Sequence, residues 1–183
     1  MQNNDITYCR ASTVDELQQI LKLQQQNLPA SLSNAEQEEE GFVTVIHHFE
    51  ILKKMNDCCP HVIAKHNNKV VAYALCMHPE FANEIEVLKP MFAQINRTVS
   101  DDLKYMAMGQ ICVDKAFRKK GIFRGLYHFM KQELKPDFDA IITEVDARNM
   151  RSLNAHFAVG FENLKEYRSN DKHWFILLLN CHG

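Results

Sequence analysis

Val14, Leu17, Ile20 and Leu21 recur at helical spacing behind Thr13, and Thr13 with Glu16 forms a capping box that satisfies the first free amides of a helix. Ser33 and Glu36 repeat that signal. Gly41 interrupts the short acidic helix they predict, and Val45, Ile46, Phe49 and Leu52 then form another apolar stripe. The first sixty residues therefore read as mostly helical. The period changes next, because residues 61–65 and 69–77 are β-rich and flank His66, Asn67 and Asn68, whose asparagines tolerate positive φ. A hairpin is predicted there. Residues 81–98 are mixed and contain Pro90, which predicts a helix plus an irregular segment lying over the sheet.

The second half alternates more regularly. Residues 104–113 predict a buried strand, and 121–134 a helix with Ile122, Leu126, Met130 and Leu134 on one face. Residues 140–145 predict another buried strand, 149–158 a short helix, and 161–167 with 173–179 a closing strand pair across Ser169, Asn170 and Asp171. No repeat, linker or low-complexity tract divides the chain. Residues 1–183 are expected to form one α/β domain, a mixed sheet flanked by helices.

Composition narrows the function. With 46% hydrophobic and 24% charged residues among 183, the chain can bury a core and is not a disordered tail. Its net charge of -2 supplies no global field for nucleic acid or an anionic membrane, so neither is expected as a partner. The longest apolar runs, 70–77 and 174–179, fall far short of the ~20 residues that cross a bilayer. Residues 1–10 lack the basic cap and apolar stretch of a secretory signal. Six cysteines, three of them in apolar runs, read as buried thiols in a reducing, cytoplasmic setting. Cys58 and Cys59, near His61, His47 and His48, lack the paired spacing of a zinc site, so no metal is expected.

The segment 118–125, Arg-Lys-Lys-Gly-Ile-Phe-Arg-Gly, joins a predicted strand to a predicted helix. It presents free helix amides and the positive end of the helix dipole beside Arg118, Lys119, Lys120 and Arg124. Gly121 lets a ligand approach the backbone, and a pyrophosphate can be held by several amides with no essential side chain. Taken by itself, the segment fits either an anion cradle or a solvated basic turn.

Two blocks in order decide between them. Gln110-Ile111-Cys112-Val113-Asp114, followed by Arg118 and Gly121, resembles the Gln/Arg-x-x-Gly-x-Gly/Ala signature of the GCN5-related N-acetyltransferase (GNAT) superfamily, with Phe123 where glycine or alanine is usual. Glu144-Val145-Asp146-Ala147-Arg148-Asn149, then Ser152, His156 and Gly160-Phe161, is similar to the later strand-helix-strand segment, most of all to that of ribosomal-protein N-acetyltransferases. The resemblance is specific over residues 104–161. It implies an acyl-CoA N-acyltransferase fold and acetyl-CoA as cosubstrate, its pyrophosphate on the amides of Arg118, Lys119, Lys120, Gly121, Ile122, Phe123 and Arg124. The main chain of Ile111, Cys112 and Val113 would run beside the pantetheine arm, the Ile111 N–H polarising the thioester carbonyl. Asn149 and Ser152 would contact the same arm, although Asn149 serves equally as a helix N-cap.

The resemblance further implies Glu144 as general base and His156, in a position usually held by tyrosine, as general acid. Tyr167 and Tyr105 are weaker acid candidates. Against these roles, Glu144 is also a candidate ion-pair partner for Arg148 or Arg151, and His156 for packing beside Phe157 and Phe161, which themselves read as core. Cys112 reads as an inert buried thiol, since direct transfer needs no covalent intermediate. The expected activity is transfer of acetyl to the primary amine of an acceptor. Residues 26–55 and 81–98 are expected to wall the acceptor pocket, and their mixed chemistry fits a polyamine, amino acid, aminoglycoside or peptide amine. Other readings are a non-catalytic acyl-CoA-binding module, or an interaction domain using the acidic run 36–40. A homodimer is common in the superfamily, but no heptad seam marks one here.

Overall fold

The computed structural model describes residues 6–28, 43 and 45–182. Seven strands form one sheet: β1 (Thr7–Arg10), β2 (Val62–His66), β3 (Lys69–Met77), β4 (Tyr105–Val113), β5 (Ala140–Asp146), β6 (Glu162–Ser169) and β7 (Lys172–Asn180), in the order β1-β2-β3-β4-β5-β7-β6. Among the described residues the α-helices are α1 (Val14–Gln26), α2 (Phe49–Cys58), α3 (Lys89–Asn96), α4 (Ile122–Leu134) and α5 (Met150–Ala158). The mixed α/β architecture expected from the pattern is present. Only β4 and β5 pair in parallel, joined by the α4 crossover.

Both faces of the central strands are covered, which explains why these strands read as nearly continuous apolar runs. Ile63, Tyr73, Leu75, Ala107 and Ile142 pack into one layer with Leu17 and Ile20 of α1, Leu52 and Met55 of α2, and Met91, Phe92 and Ile95 of α3. Ala72, Ala74, Met106, Met108, Ile141 and Val145 pack into the other with Ile122, Leu126, Tyr127 and Met130 of α4 and Leu153 of α5. Two tight turns pin the registers at the edges. Asn67 and Asn68 adopt φ of 49° and 62°, and Asn170 and Asp171 φ of 49° and 57°, the consecutive left-handed pair that a two-residue hairpin requires.

The capping box is formed as predicted: Thr13 Oγ1 accepts from the Glu16 N–H at 3.1 Å, and the Glu16 carboxylate accepts from the Thr13 N–H at 3.1 Å. Three expectations for the first half need correction. Strand β1 lies in the region read as helical; four residues at a sheet edge are too few for alternation to register. Val14 is exposed rather than part of the buried stripe. Val45 and Ile46 are not helical, because Val43, Val45 and His47 spend backbone groups on tertiary bonds. Val43 N–H donates to the Asn27 carbonyl at 3.2 Å, His47 N–H to Gln24 Oε1 at 2.7 Å, and the Val45 carbonyl accepts from Gln110 Nε2 at 2.7 Å. The Ser33 capping signal, Gly41 and the acidic run 36–40 lie outside the described residues. Pro90 opens α3 at its first turn, where its missing N–H costs nothing.

Strand β1 also meets α4 closely. A Cβ on Gly125 would lie 2.0 Å from the Tyr8 hydroxyl oxygen, so the Tyr8 phenol rests on the helix where a larger residue would push it aside. All six cysteines are unbridged. No helix among the described residues is long and apolar enough to cross a membrane.

Candidate active site

The parallel pair β4–β5 holds together for three positions, Tyr105 with Ala140, Met106 with Ile141 and Ala107 with Ile142. Thr143 Oγ1 reaches across to the Met108 carbonyl at 3.0 Å, and beyond that bond the strands part. From there β4 pairs only with β3 and β5 only with β7. The Asp114 N–H donates to the Val71 carbonyl at 2.9 Å. By strand alternation, the amides of Ile111 and Val113 point the opposite way, into the gap. Buried main-chain groups of this kind need partners. The Val113 carbonyl finds one in Arg118 Nε at 3.0 Å, which leaves the amides facing the cleft.

The loop after β4 is shaped by two left-handed residues, Lys119 at φ 60° and Gly121 at φ 78°. For a lysine that conformation is strained, and strain of this kind collects at ligand-binding loops. Gly121 is the N-cap of α4 and offers no side-chain cap, and nothing lies within 4 Å of where its Cβ would stand. The first-turn amides of α4 are thereby open to an anion. Arg118 acts as a strut: besides Val113, it donates from Nη2 to Asn27 Oδ1 at 2.6 Å, tying the loop to the end of α1.

A cleft of about 230 Å³ follows from this geometry. It gathers ten of the expected residues: Ile111, Cys112, Val113, Arg118, Lys119, Gly121, Ile122, Phe123, Asn149 and Ser152. Lys120 and Arg124 are exposed and do not line it. Burial pushes the Cys112 thiol up to about 12, as an inert cysteine requires. Asn149 caps α5 by accepting from the Ser152 N–H at 3.1 Å while also lining the cleft, so its two readings coincide in one residue. Asn27, Val43, Phe117, Arg151 and Ala155 complete the wall. Sequence reasoning did not place Phe117, Arg151 or Ala155 here, and it expected Asn27 and Val43, within residues 26–55, at the acceptor pocket, since nothing local marks a helix C-cap or a distant loop as neighbours of the 118–124 turn.

Glu144 lies on the other side of the gap, with its carboxylate accepting from the Tyr167 O–H at 2.5 Å. Burial raises it to about 7, against the lowering effect of that hydrogen bond. A carboxylate at that value takes or gives a proton near neutral pH. Burial and the nearby Glu144 charge push the Tyr167 phenol far up, so it remains a donor. Arg148 is committed elsewhere, its Nη2 2.7 Å from Asp146 Oδ2. Glu144 and Tyr167 share a smaller cavity of about 80 Å³ with Val45, Leu88, Pro90 and Trp174. Val43 lines the larger cleft and Val45 the smaller one, so the two cavities flank one short segment.

His156, the expected general acid, is buried in α5. It is 1% exposed and lines neither cavity. Its Nδ1 lies 2.7 Å from the Ser152 carbonyl and its Nε2 2.7 Å from the Tyr127 hydroxyl. That pairing fixes a neutral ring, with Nδ1–H donating to Ser152 and Nε2 accepting from Tyr127. The ring also packs edge-on against Phe123 and Phe161 at 5.1 Å, and burial lowers its pKa to about 4. Both ring nitrogens are thus engaged and the imidazole is enclosed. Phe161 is core as expected, whereas Phe157 is 42% exposed. Tyr105 starts β4, at the end away from the gap, and lines neither cavity.

The cysteines and histidines around residue 60 disperse. His61 bonds the Leu52 carbonyl at 3.1 Å, and Cys59 lies 3.6 Å from Arg10 Nη1. Cys58 instead stands near His78 and Glu80, with ligand atoms within 4.8 Å of one another.

Residues 17–161 match the model of the acetyltransferase (GNAT) family. The chain belongs to the GNAT family of N-acetyltransferases. Solved structures share its fold at low sequence identity. The NatC complex bound to Gag peptide and CoA superposes with a TM-score of 0.66 at 18% identity, covering 96% of this chain and 98% of that one. The ribosomal-protein-S18-alanine N-acetyltransferase of Escherichia coli gives 0.63 at 17%, covering 97% and 94%. Arabidopsis thaliana NAA60 in complex with acetyl-CoA gives 0.67 at 11%, covering 96% and 99%. No protein of curated function matches the sequence.

Proposed function

We propose that the chain transfers acetyl from acetyl-CoA directly to a primary amine. The observation that supports this reading is the end of the β4–β5 pairing, past which β4 carries Ile111 and Val113 and β5 carries Glu144. Acetyl-CoA supplies the electrophilic thioester carbonyl. The amides of the 118–124 turn bind its pyrophosphate, and the Ile111 N–H donates to the carbonyl oxygen where negative charge develops. Glu144 accepts the proton of the attacking nitrogen, directly or through one water, and Tyr167 orients it. A C–N bond forms and the C–S bond breaks. The proton lost by nitrogen returns to the sulfur by way of Glu144, a route that needs no contribution from His156.

Asn149 and Ser152 border the path of the pantetheine arm. We read the chain as one domain, the described residues being arranged around a single sheet. Six unbridged cysteines fit a reducing compartment such as the cytoplasm. A non-catalytic acyl-CoA-binding module is the competing reading, favoured by the enclosure of His156. Calorimetry with CoA and thiol release from acetyl-CoA with an amine panel separate the two. Heat of binding with thiol release supports the enzyme, binding without release supports the module, and no heat at millimolar ligand removes both.

A further inference from the structure

The cavity beside Glu144 has two unlike walls. Val45, Val87, Leu88 and Pro90 make one apolar, while Ser169, Asn170 and Lys172 at the β6–β7 turn bring hydrogen-bond donors to the other. Trp174 lies between them, with Lys172 Nζ 5.7 Å from its ring centroid. Glu144 is the one acid and Lys172 the one cation among the described residues of this lining. Asp146, which also feels Lys172, is committed to Arg148. A polyamine or aminoglycoside carries several positive charges, which call for several carboxylates and are repelled by a lysine. At roughly 10–15 Å³ for each water-sized group, a cavity of about 80 Å³ admits about half a dozen heavy atoms, fewer than a substituted sugar ring.

Resting on the N-acetyltransferase reading, we infer that the acceptor is the α-amine of a residue with a small apolar side chain. The amine meets Glu144, the side chain lies against Val45, Val87 and Leu88, and the α-carbonyl or α-carboxylate faces Asn170 and Lys172. A peptide N-terminus and a free amino acid share this chemistry. They differ in the charge offered to Lys172.

The test uses the full chain with acetyl-CoA, following thiol release and product mass for five acceptors: alanyl and valyl tripeptide amides, free valine, Nα-acetyl-lysine amide and spermidine. The α-amines are expected to exceed the last two in kcat/KM by at least about tenfold, and the tripeptide and valine arms identify the source. Lys172→Glu is expected to raise the KM of the preferred α-amine, about tenfold for valine and less for a tripeptide, with the KM for acetyl-CoA unchanged. Spermidine or Nα-acetyl-lysine amide as the best acceptor overturns the inference, as does an unchanged acceptor KM in Lys172→Glu. Either result leaves the acetyltransferase reading intact. Binding of CoA with no acetylation of any acceptor overturns both.

Discussion

The two lips of the gap between β4 and β5 are built from different materials. On the β4 side the groups proposed to meet the donor are main-chain amides, of Ile111, Val113 and the first turn of α4, the turn being shaped by the φ angles of Lys119 and Gly121. On the β5 side they are side chains, chiefly the Glu144 carboxylate and the Tyr167 phenol. A wall of amides tolerates exchange of most side chains while its backbone path survives. A wall of side chains fails at a single atom. In the proposed reaction, donor recognition therefore depends on conformation, and proton transfer on chemistry.

The sharpest way to break this contrast is Glu144→Gln. It is expected to lower kcat by about 10²–10⁴-fold while the KM for acetyl-CoA holds, and equal turnover in steady-state assays would reject Glu144 as base. On the other lip, Gly121→Val places a β-branched residue at φ 78°, where left-handed backbone costs roughly 1–2 kcal/mol. The expected outcome is a rise of about tenfold in the KM for acetyl-CoA with kcat nearly kept. Tyr167→Phe tests the orienting bond. That bond holds Glu144 down, so its loss raises the carboxyl further above about 7 and moves the ascending limb of the kcat/KM pH profile to higher pH. An unmoved limb would detach Tyr167 from the base.

The smallest effect on activity is expected at His156. Its folded value of about 4 lies below the ordinary histidine value of 6.5, so the unfolded chain binds a proton that the native one does not. Its contribution to stability is complete above pH 6.5 and is lost as pH falls through that window toward 4. His156→Gln is expected to leave turnover within about threefold and to flatten the fall in melting temperature over this range. A large loss of kcat would restore His156 to the chemistry.

How much of this was legible in the sequence follows from the same contrast. The donor lip is written in a contiguous stretch, because residues 110–124 form strand, turn and helix start in order, and glycine at 121 is required by a local φ. Glu144 was legible from its place at the end of a strand in the second block. The state of His156 was not, because whether a histidine on a short helix turns outward or inward depends on Tyr127 and Phe123 from another helix. The place of Asn27 and Val43 in the cleft was hidden for a similar reason: they reach it only through Arg118 and through the loop bonded to α1. The apolar pattern at Val45 and Ile46 predicted a helix because periodicity carries no record of where carbonyls and amides find their partners.

The seat of Tyr8 against Gly125 has a consequence of its own. The helix whose opening turn is proposed to hold the donor rests on a hydroxyl supplied by the sheet's outermost ribbon. Any enlargement at 125 displaces the Tyr8 phenol, by a swing of that side chain or by a smaller residue at 8, so the two positions are coupled. An engineer wishing to retune cofactor grip without touching a single ligating atom would begin at that joint.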